Sequence, residues 1–236
     1  MNERQPRRPA NLPDLAAICL EALVAQGLAP ALSIGGALGL LHYLDYRATN
    51  DVDAWWTPEA GAAMRIAVIH LLETTLQSFG EVHTRRWGDV VSIELKQEGR
   101  KVFSVQIAAR SVQLEPSQAA PWVDVPLDSL SDLLASKMVA LVERGAPRDF
   151  RDIHAVCEAG LATPAGIWAL WRRRQLAVGG DVDYLRAQLA ISTHLARIAQ
   201  HRPLDQIADA ETRIAATHVR EWFRAVFLPA AGASDA

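Results

Sequence analysis

A chain of 236 residues is long enough to bury a hydrophobic core and to divide into two modest domains. Its formal net charge of -3 at pH 7 excludes a uniformly basic nucleic-acid binder, so any RNA contact must come from a local basic patch. No apolar run reaches membrane-spanning length and the N-terminus lacks the pattern of a signal peptide. We therefore expect a soluble, cytoplasmic protein without a membrane partner.

The first half of the chain mixes predicted helices and strands. A helix is predicted to begin at Pro13-Asp14 and to end at Gly27. Thr57-Pro58-Glu59 supplies an N-cap, a proline at the first helical position and an acidic first turn, which predicts a long helix to about residue 78. Strands are predicted over residues 31–34, 51–56, 82–87, 90–95, 102–107 and 122–125, with a hairpin that joins 90–95 to 102–107.

The second half of the chain is almost wholly helical in its pattern. Helices are predicted over residues 127–144 and 148–158, from Thr163-Pro164 onward, and over residues 181–200 and 212–227. We therefore expect an α+β protein with a mixed sheet and flanking helices in residues 1–126, followed by a helical domain in residues 127–236. The first helix of the helical domain is expected to pack on the sheet domain.

Asp51 and Asp53 form an Asp-x-Asp motif that follows Gly35-Gly36 and one short predicted helix. Residues i and i+2 of a strand point to the same face, so the two carboxylates repel each other unless a cation lies between them. Such hard oxygen ligands suit Mg²⁺ that is held together with substrate phosphates, and a Gly-Gly turn lets backbone N–H groups approach a phosphate. The order of Gly-Gly turn, short helix and Asp-x-Asp strand predicts a site for a metal and a nucleoside triphosphate. The alternative is that these Asp and Gly residues only form turns, in which both residue types are common.

A second polar motif lies in the stretch KMVALVERGAPRDFRDI. Lys137 and Arg144 are separated by two helical turns and therefore share a helix face. Arg148, Asp149 and Asp152 lie in the next predicted helix at spacings that allow local ion pairs. Taken alone, this pattern favours a solvated helix face with weak ion pairs.

Together, the two motifs resemble those of the AbiEii-type nucleotidyltransferase toxins, which fall within the polymerase-beta-like nucleotidyltransferase superfamily. The matching order is Gly35-Gly36, then Arg-x-Thr-x-Asp-x-Asp, then Lys-x-x-Ala-x-x-x-Arg-x-x-x-Arg-Asp-x-x-Asp-Ile. The resemblance covers about residues 30–155. It implies the toxin of a bacterial toxin–antitoxin or phage abortive-infection system, with a cognate antitoxin as partner. It also implies transfer of a nucleoside monophosphate from ATP, GTP or CTP to an acceptor hydroxyl.

The resemblance implies roles for individual residues. Asp51 and Asp53 are expected to bind one or two Mg²⁺ or Mn²⁺ ions, and Gly35 and Gly36 to cradle the β- and γ-phosphates. Lys137 is expected to contact the triphosphate as a point charge and so to act in catalysis. The other residues expected at the nucleotide site are Arg47, Arg144, Arg148, Asp149 and Asp152.

Two departures from the superfamily pattern leave a non-catalytic nucleotide-binding function open. Ala37 follows the Gly-Gly turn where a Ser or Thr usually holds phosphate, so that contact is missing unless Ser33 or Thr49 substitutes. The strand predicted over 102–107 has no acidic residue, and Glu94 on the preceding strand is the nearest candidate for a third carboxylate. The alternatives are an enzyme that modifies a small molecule such as an antibiotic, and a non-catalytic nucleotide- or partner-binding relative.

A basic and aromatic cluster in the helical half contains Trp168, Trp171, Arg172, Arg173 and Arg174. Such a cluster can hold RNA through phosphate contacts and stacking, and the favoured acceptor is RNA, in particular a tRNA 3′ end. The alternative is an amphipathic helix with tryptophan in the core and arginine in water. The seven histidines show no paired metal-ligand spacing, and none is predicted to bind a metal.

Overall fold

The computed structural model describes residues 5–233 of the chain. These residues form two compact units, an N-terminal unit over residues 5–133 and a C-terminal unit over residues 134–233. The domain boundary expected after residue 126 stays a prediction.

Among the described residues of the N-terminal unit, seven strands form a single sheet: β1 (Leu32–Ile34), β2 (Asp51–Trp56), β3 (Glu81–Trp87), β4 (Val90–Gln97), β5 (Arg100–Ala109), β6 (Gln118–Ala120) and β7 (Val123–Leu127). Their order across the sheet is β3-β4-β5-β2-β1-β7-β6. The sheet is mixed because β2 runs parallel to β5 but antiparallel to β1. The antiparallel pairing of β4 with β5 confirms the predicted hairpin. The three-residue strand β6 was not predicted, since so short a segment shows no alternation.

One face of this sheet is apolar and forms the core of the N-terminal unit. On β2, the side chains of Val52, Ala54 and Trp56 are buried, whereas the residues between them are half-exposed. Ile34, Val105 and Ile107 on neighbouring strands continue the apolar face, and each is 2% exposed or less. The opposite face is therefore left to the polar residues that alternate with them.

Two longer helices and one short helix accompany the sheet: α1 (Asp14–Ala25), α2 (Gly36–Leu41) and α3 (Ala62–Gln77). Helices α1 and α3 bury Leu20, Leu23, Leu72 and other apolar side chains at 2% exposure or less. Helix α2 follows β1 directly, so the Gly-Gly turn lies between a strand and a helix as the sequence predicted.

Helix α3 begins later than the sequence predicted, at Ala62 and not at Thr57. The Thr57 hydroxyl donates to the Pro30 carbonyl at 2.7 Å, and the Thr57 backbone N–H donates to the Ala31 carbonyl at 3.0 Å. Both bonds therefore continue the pairing beside β2 and hold Thr57 next to the strand, away from the start of the helix. Gly61 takes the N-cap position.

The helix predicted over residues 127–144 is present as α4 (Leu130–Glu143), which begins in the N-terminal unit and ends in the C-terminal unit. The described residues of the C-terminal unit are helical beyond it. The further helices are α5 (Pro147–Glu158), α6 (Pro164–Val178), α7 (Tyr184–His201) and α8 (Ala210–Trp222). Short 3₁₀ turns lie at Ala29–Ala31, Leu204–Gln206 and Leu228–Ala230.

Local capping sets where these helices begin and end. The Thr163 hydroxyl accepts a hydrogen bond from the Gly166 N–H at 3.1 Å, which confirms the predicted start of α6. The Asp183 carboxylate caps α7, so that helix begins at Tyr184 and not at residue 181. Beyond Trp222 the predicted helix becomes a π-helical turn over Phe223–Phe227.

Aromatic side chains form the core of the C-terminal unit. Trp168, Phe223 and Phe227 are fully buried, and the rings of Trp168 and Phe227 stack at 5.4 Å. The Trp168 indole N–H donates to the Phe227 carbonyl at 2.9 Å, which satisfies the polar edge of this buried ring. The sheet with flanking helices and the helical second unit confirm the predicted α+β class. No helix in the part of the chain that the structure describes is long and apolar enough to cross a membrane.

Candidate active site

Strand β2 carries both aspartates of the Asp-x-Asp motif on one face of the sheet. Asp51 and Asp53 are half-exposed, whereas Val52 and Ala54 between and beyond them are each 3% exposed. The two-residue period of a strand turns every second side chain to the same face, so the two carboxylates reach solvent together. We call the half-exposed pair of Asp51 and Asp53 the carboxylate pair.

Asp51 has two polar neighbours from strand β5. Its Oδ1 accepts a hydrogen bond from Ser104 Oγ at 2.6 Å and one from Lys101 Nζ at 3.0 Å. Ser104 is in place because it is the parallel register partner of Asp51. The Lys101 side chain is 48% exposed, so its ammonium offsets the charge of Asp51 in a well-hydrated position. No sequence pattern indicated a role for Lys101, because its contact with Asp51 depends on strand register.

The Gly35-Gly36 turn packs directly against the second aspartate. Gly36 has a φ of 56°, and a Cβ added there would lie 2.1 Å from Asp53 Oδ2. A Cβ on Gly35 would lie 2.5 Å from the indole nitrogen of Trp55, and the Gly35 N–H donates to the Asp53 carbonyl at 2.8 Å. Glycine is therefore required at both positions, and the bare backbone of the turn lies beside the carboxylate pair.

The neighbouring strands extend the face of the carboxylate pair. Asp53 is the register partner of Gln106, Gln106 of Ser92, and Ser92 of Arg85. Partners in register point to the same side of a sheet, so Arg85 on β3 ends a row that begins at Asp53. Gln106 and Arg85 are both exposed. The row joins a basic residue to the carboxylate pair along one surface.

Glu94, the expected candidate for a third carboxylate, belongs to the other row of this face. It is the register partner of Ser104, which separates it from Asp51 by one strand. Adjacent strands lie about 4.8 Å apart, so the backbone of Glu94 is about twice that distance from Asp51. The position immediately beside Asp53 is occupied by the neutral Gln106.

The second motif forms an ion-pair network in the C-terminal unit, the Lys137 cluster (Lys137, Arg144, Asp149 and Asp152), in which every residue except Arg144 is buried. Lys137 Nζ lies 2.7 Å from Asp152 Oδ2 and 3.7 Å from Asp149 Oδ1. Arg144 donates to both oxygens of Asp149, at 3.0 and 3.1 Å. Both aspartates are 0% exposed and Lys137 is 6% exposed. The network joins α4 to α5. The prediction of a solvated helix face is wrong for Lys137, Asp149 and Asp152, because all three are buried.

The family is decided by a comparison that covers most of the chain. A family model described as "Nucleotidyl transferase AbiEii toxin, Type IV TA system" matches residues 18–227. The chain belongs to this AbiEii family. Membership makes it a nucleotidyltransferase toxin, with a nucleoside triphosphate as substrate and an antitoxin as partner, and it confirms the resemblance drawn from the sequence motifs.

The AbiEii chain was also compared with proteins of curated function and with solved structures. Among proteins of curated function, none matches its sequence. Among solved structures, it is similar to an antigenic nucleotidyltransferase-like protein from Paracoccidioides brasiliensis, with 17% sequence identity and a TM-score of 0.39. That similarity covers 89% of this chain and 95% of the other.

The donor atoms of the carboxylate pair fit a divalent cation of the kind that nucleotidyltransferases generally use. Both groups are hard carboxylate oxygens on one face, and both are half-exposed, so solvent and substrate oxygens can complete a coordination shell. The tight Gly36–Asp53 packing fixes the backbone on one side of that shell.

The hydroxyls considered as substitutes for the missing Ser or Thr of the Gly-Gly turn are already in use. Ala37 itself is 6% exposed and packs inward. The Ser33 hydroxyl donates to Asp128 Oδ1, and the Thr49 hydroxyl hydrogen-bonds to the backbone of Asp51. Both hydroxyls therefore have protein partners of their own.

A polar network on the same face of the sheet as the carboxylate pair shows no pattern in the sequence. Arg110 ion-pairs with Asp128, lies 3.9 Å from Asp132 and places its guanidinium 5.9 Å from the Trp55 ring centroid. Ser33 also donates to Asp128, and burial raises the pKa of the Asp128 carboxyl despite the neighbouring Arg110. The network holds Trp55, which is two residues from Asp53, against Gly35. These residues are far apart in sequence, so no spacing pattern reveals them.

His42 anchors the end of the helix that follows the Gly-Gly turn, and it too was missed. Its Nε2 accepts a hydrogen bond from the Trp122 indole N–H at 3.0 Å, and its Nδ1 lies 2.8 Å from the Leu38 carbonyl. Both ring nitrogens are satisfied only if the imidazole is neutral with its proton on Nδ1. Burial lowers the pKa of His42, which agrees with the neutral form.

The remaining predicted site residues lie apart from these contacts or at the surface. Arg47 donates to the Ala48 carbonyl at 3.1 Å and lies over the Tyr46 ring, while Arg148 is exposed at the first turn of α5. The residues of the basic and aromatic cluster differ in solvent exposure. Trp168, Trp171 and Arg174 are buried, Arg172 is half-exposed and Arg173 is exposed. Buried rings cannot stack on a base, so the structure favours the amphipathic-helix alternative for this cluster.

Proposed function

We propose that this AbiEii toxin transfers a nucleoside monophosphate from a nucleoside triphosphate to a hydroxyl of an RNA acceptor, in particular a tRNA 3′ end. In cells, the reaction would disable translation until the antitoxin acts, as part of phage defence in the cytoplasm. The observation that carries the proposal is the carboxylate pair, which lies on one half-exposed face beside the Gly35-Gly36 turn.

Asp51 and Asp53 are the residues that would hold Mg²⁺ or Mn²⁺. When bound, the ion neutralises charge on the triphosphate and orients it for in-line displacement. Gly36 offers its backbone N–H to the β- and γ-phosphates, while Gly35, whose N–H pairs with the Asp53 carbonyl, lets them approach because it carries no side chain. The acceptor hydroxyl oxygen forms the new bond to the α-phosphorus, the bond to the β-phosphate breaks, pyrophosphate leaves and the hydroxyl proton is lost.

Lys137 belongs to the proposal as a contact to the triphosphate. Its ammonium is positioned by Asp152 and Asp149, which fix a long flexible side chain in one conformation. Arg144, Arg148, Asp149 and Asp152 are proposed to support it and the nucleotide, and Arg47 to support the carboxylate pair. A charge-assisted contact to phosphate contributes on the order of 1.5–3 kcal/mol.

An RNA acceptor is favoured by the residues at the edge of the sheet. Arg85 lies in the same row as Asp53, and Arg86 and Trp87 follow it on β3, all three exposed. Trp87 is 51% exposed, which leaves a ring available for stacking. Arg172 and Arg173 are the candidates for a second, weaker RNA contact, whereas Arg174 is 8% exposed and contributes little.

The experiment measures transfer from each of the four α-labelled triphosphates to total tRNA and to a mixture of aminoglycosides, with Mg²⁺. We expect labelled tRNA and unlabelled drug. Label on an aminoglycoside alone would replace the proposal with the small-molecule alternative. Binding of triphosphate without transfer to any acceptor would support the non-catalytic relative.

The same assay separates the two basic surfaces. The Arg85→Ala/Arg86→Ala variant should lose tRNA labelling most at low salt and depend less on salt than the wild type, because each phosphate contact that is removed reduces the salt dependence of binding. Arg172→Ala/Arg173→Ala should show a smaller loss, and Arg197→Ala, an exposed arginine of α7, serves as the control for net charge. Equal labelling by all three variants across the salt series would contradict docking of RNA on β3.

A further inference from the structure

Two histidines and a glutamate meet on one side of the C-terminal unit. His154 and Glu158 lie one turn apart on α5, and His218 lies on α8. One ligand atom from each residue lies within 4.8 Å of the others. The His154 and His218 rings meet edge to face at 5.0 Å, so the two helices present their imidazoles to each other.

His154 is the most constrained member of this group. Its Nε2 is buried and lacks a hydrogen-bond partner among the described residues, since Glu158 Oε1 lies 3.9 Å away, which is too far for a hydrogen bond. The ring also packs edge to face against Trp222 at 4.9 Å. A buried polar atom without a hydrogen-bond partner destabilises the fold, so a bound ligand at this nitrogen would remove that cost.

We propose that His154, Glu158 and His218 bind one Zn²⁺-type transition-metal ion that links α8 to α5. Two imidazole nitrogens with one carboxylate oxygen form a recognised zinc donor set, and a water molecule completes a tetrahedral shell. Zinc–ligand bonds are about 2.0–2.2 Å long, so the three donors must draw together from their present separation. Glu158 is 52% exposed on its side chain and His218 is exposed, so both can rotate toward His154.

Ligand chemistry distinguishes this site from the carboxylate pair. Imidazole nitrogen binds Zn²⁺, Cu²⁺ and Ni²⁺ well, whereas a site built of carboxylates suits Mg²⁺ and Mn²⁺. The ion would act as a structural link between α5 and the C-terminal helix, and it would not take part in nucleotidyl transfer.

The link has a specific place in the fold. Trp222, which contacts His154, also packs against Phe223 and Phe227 in the aromatic core of the C-terminal unit. A metal bound by His154 and His218 would hold the last turns of α8 against that core. A metal that binds only the folded chain stabilises it by a free energy that grows with the logarithm of the free metal concentration divided by Kd.

The test uses full-length protein stripped with EDTA and titrated with Zn²⁺ in calorimetry and with Co²⁺ in visible absorption. We expect one strong Zn²⁺ site, a Co²⁺ spectrum typical of tetrahedral nitrogen and oxygen ligands, and a rise in Tm of about 5 °C at a hundredfold excess over Kd. Tm measured with Zn²⁺ is independent of nucleotide transfer, so the result stands whether or not the proposed function is right.

Variants assign the ligands. His218→Ala removes an exposed side chain and should fold normally, yet it should weaken Zn²⁺ binding by at least about tenfold and abolish the Tm rise. Glu158→Gln should do the same to a smaller extent. His201→Ala, at the end of α7, should keep the wild-type Zn²⁺ affinity. Absence of strong Zn²⁺ binding in the wild type, or unchanged binding in both His218→Ala and His154→Ala, would overturn the proposal.

Discussion

The carboxylate pair and the Lys137 cluster differ in how far their charges are compensated. In the Lys137 cluster, two cations meet two fully buried aspartates at distances from 2.7 to 3.7 Å. In the carboxylate pair, two like charges lie half-exposed on one strand, and the ammonium beside Asp51 is itself 48% exposed. A charge-balanced network around buried aspartates contributes to the structure of the unit, whereas like charges at a surface are stabilised by a bound cation.

The largest effect on stability is expected from the Lys137 cluster. Lys137→Ala leaves Asp149 and Asp152 buried without their shared cation, and removal of one partner of a buried ion pair costs about 3–5 kcal/mol. Tm should fall by about 6–20 °C. Thermal unfolding followed by circular dichroism measures it, and Lys101→Ala at the exposed ammonium is the matched control, with little change in Tm. A Tm within 2 °C of wild type, on the order of a 1 kcal/mol change or less, would show that the network is not important for folding.

Lys137→Ala also separates a structural role from the proposed contact to nucleotide. Below its Tm, the folded variant should bind triphosphate more weakly while its affinity for the nucleoside is unchanged, because only the phosphate contact is lost. Titration calorimetry with both ligands provides the comparison. Equal triphosphate affinities for variant and wild type would restrict Lys137 to the structural role.

The next largest effect is expected at the Gly-Gly turn. Gly36→Ala places a Cβ 2.1 Å from Asp53 Oδ2 at a φ of 56°, so Asp53 must move and the backbone must strain by about 1–2 kcal/mol. A shift of about 1 Å at a catalytic group lowers the rate about 100-fold. Gly61→Ala, at a position where an added Cβ meets nothing within 4 Å, is the control in the transfer assay. Equal rates for Gly36→Ala and wild type would contradict the close packing at Asp53.

His42 makes the support of the turn sensitive to acid. Its pKa is lowered in the folded state, so between its folded pKa and the unfolded value of 6.5 the unfolded chain binds the proton first. Stability is therefore complete above pH 6.5 and falls with decreasing pH, by at most about 1.4 kcal/mol per pH unit for this one group. His154, with its pKa lowered in the same direction, adds to the slope of the wild type.

The measurement for His42 is the free energy of unfolding in urea at pH 7.5 and pH 5.5. His42→Gln should lose less stability between the two values than the wild type, because it cannot take up the proton. His201→Ala should lose as much as the wild type. An identical pH dependence for His42→Gln and wild type would show that His42 does not titrate differently in the two states.

The smallest effect is expected at the ammonium beside the carboxylate pair. Lys101→Met removes a partly exposed positive charge 3.0 Å from Asp51, so the affinity of the pair for Mn²⁺ should rise, by less than about 1 kcal/mol. Electron paramagnetic resonance of free Mn²⁺ measures that affinity. A weaker affinity in the variant would instead place Lys101 among the groups that support metal binding.

The parts of the molecule that the sequence predicted depend on local patterns. The two-residue period of a strand put Asp51 and Asp53 on one face, and the order of turn, short helix and strand followed from Gly35-Gly36. Helix starts at Asp14 and Pro164 also followed from local signals. Thr57 shows the limit of such signals, because its hydroxyl found a backbone partner across the sheet and did not cap a helix.

The unpredicted parts depend on contacts between distant segments. Lys101 meets Asp51 only through the parallel register of β2 and β5, and Arg110 meets Asp128 only when β5 and β7 share a sheet. His154 and His218 show no informative spacing because they come from helices distant in sequence. A local pattern predicted that the two aspartates share one face of a strand, while tertiary contacts determined the groups that surround them.

The most direct test of the central claim is nucleotide transfer by Asp53→Asn. Loss of one carboxylate should lower incorporation of labelled nucleotide at least about 1,000-fold, with an unchanged or slightly higher Tm because the repulsion from Asp51 is reduced. Asp124→Asn, an exposed strand carboxylate of the same unit, should transfer at the wild-type rate. Transfer by Asp53→Asn at the wild-type rate would contradict the assignment of the carboxylate pair as the metal and nucleotide site.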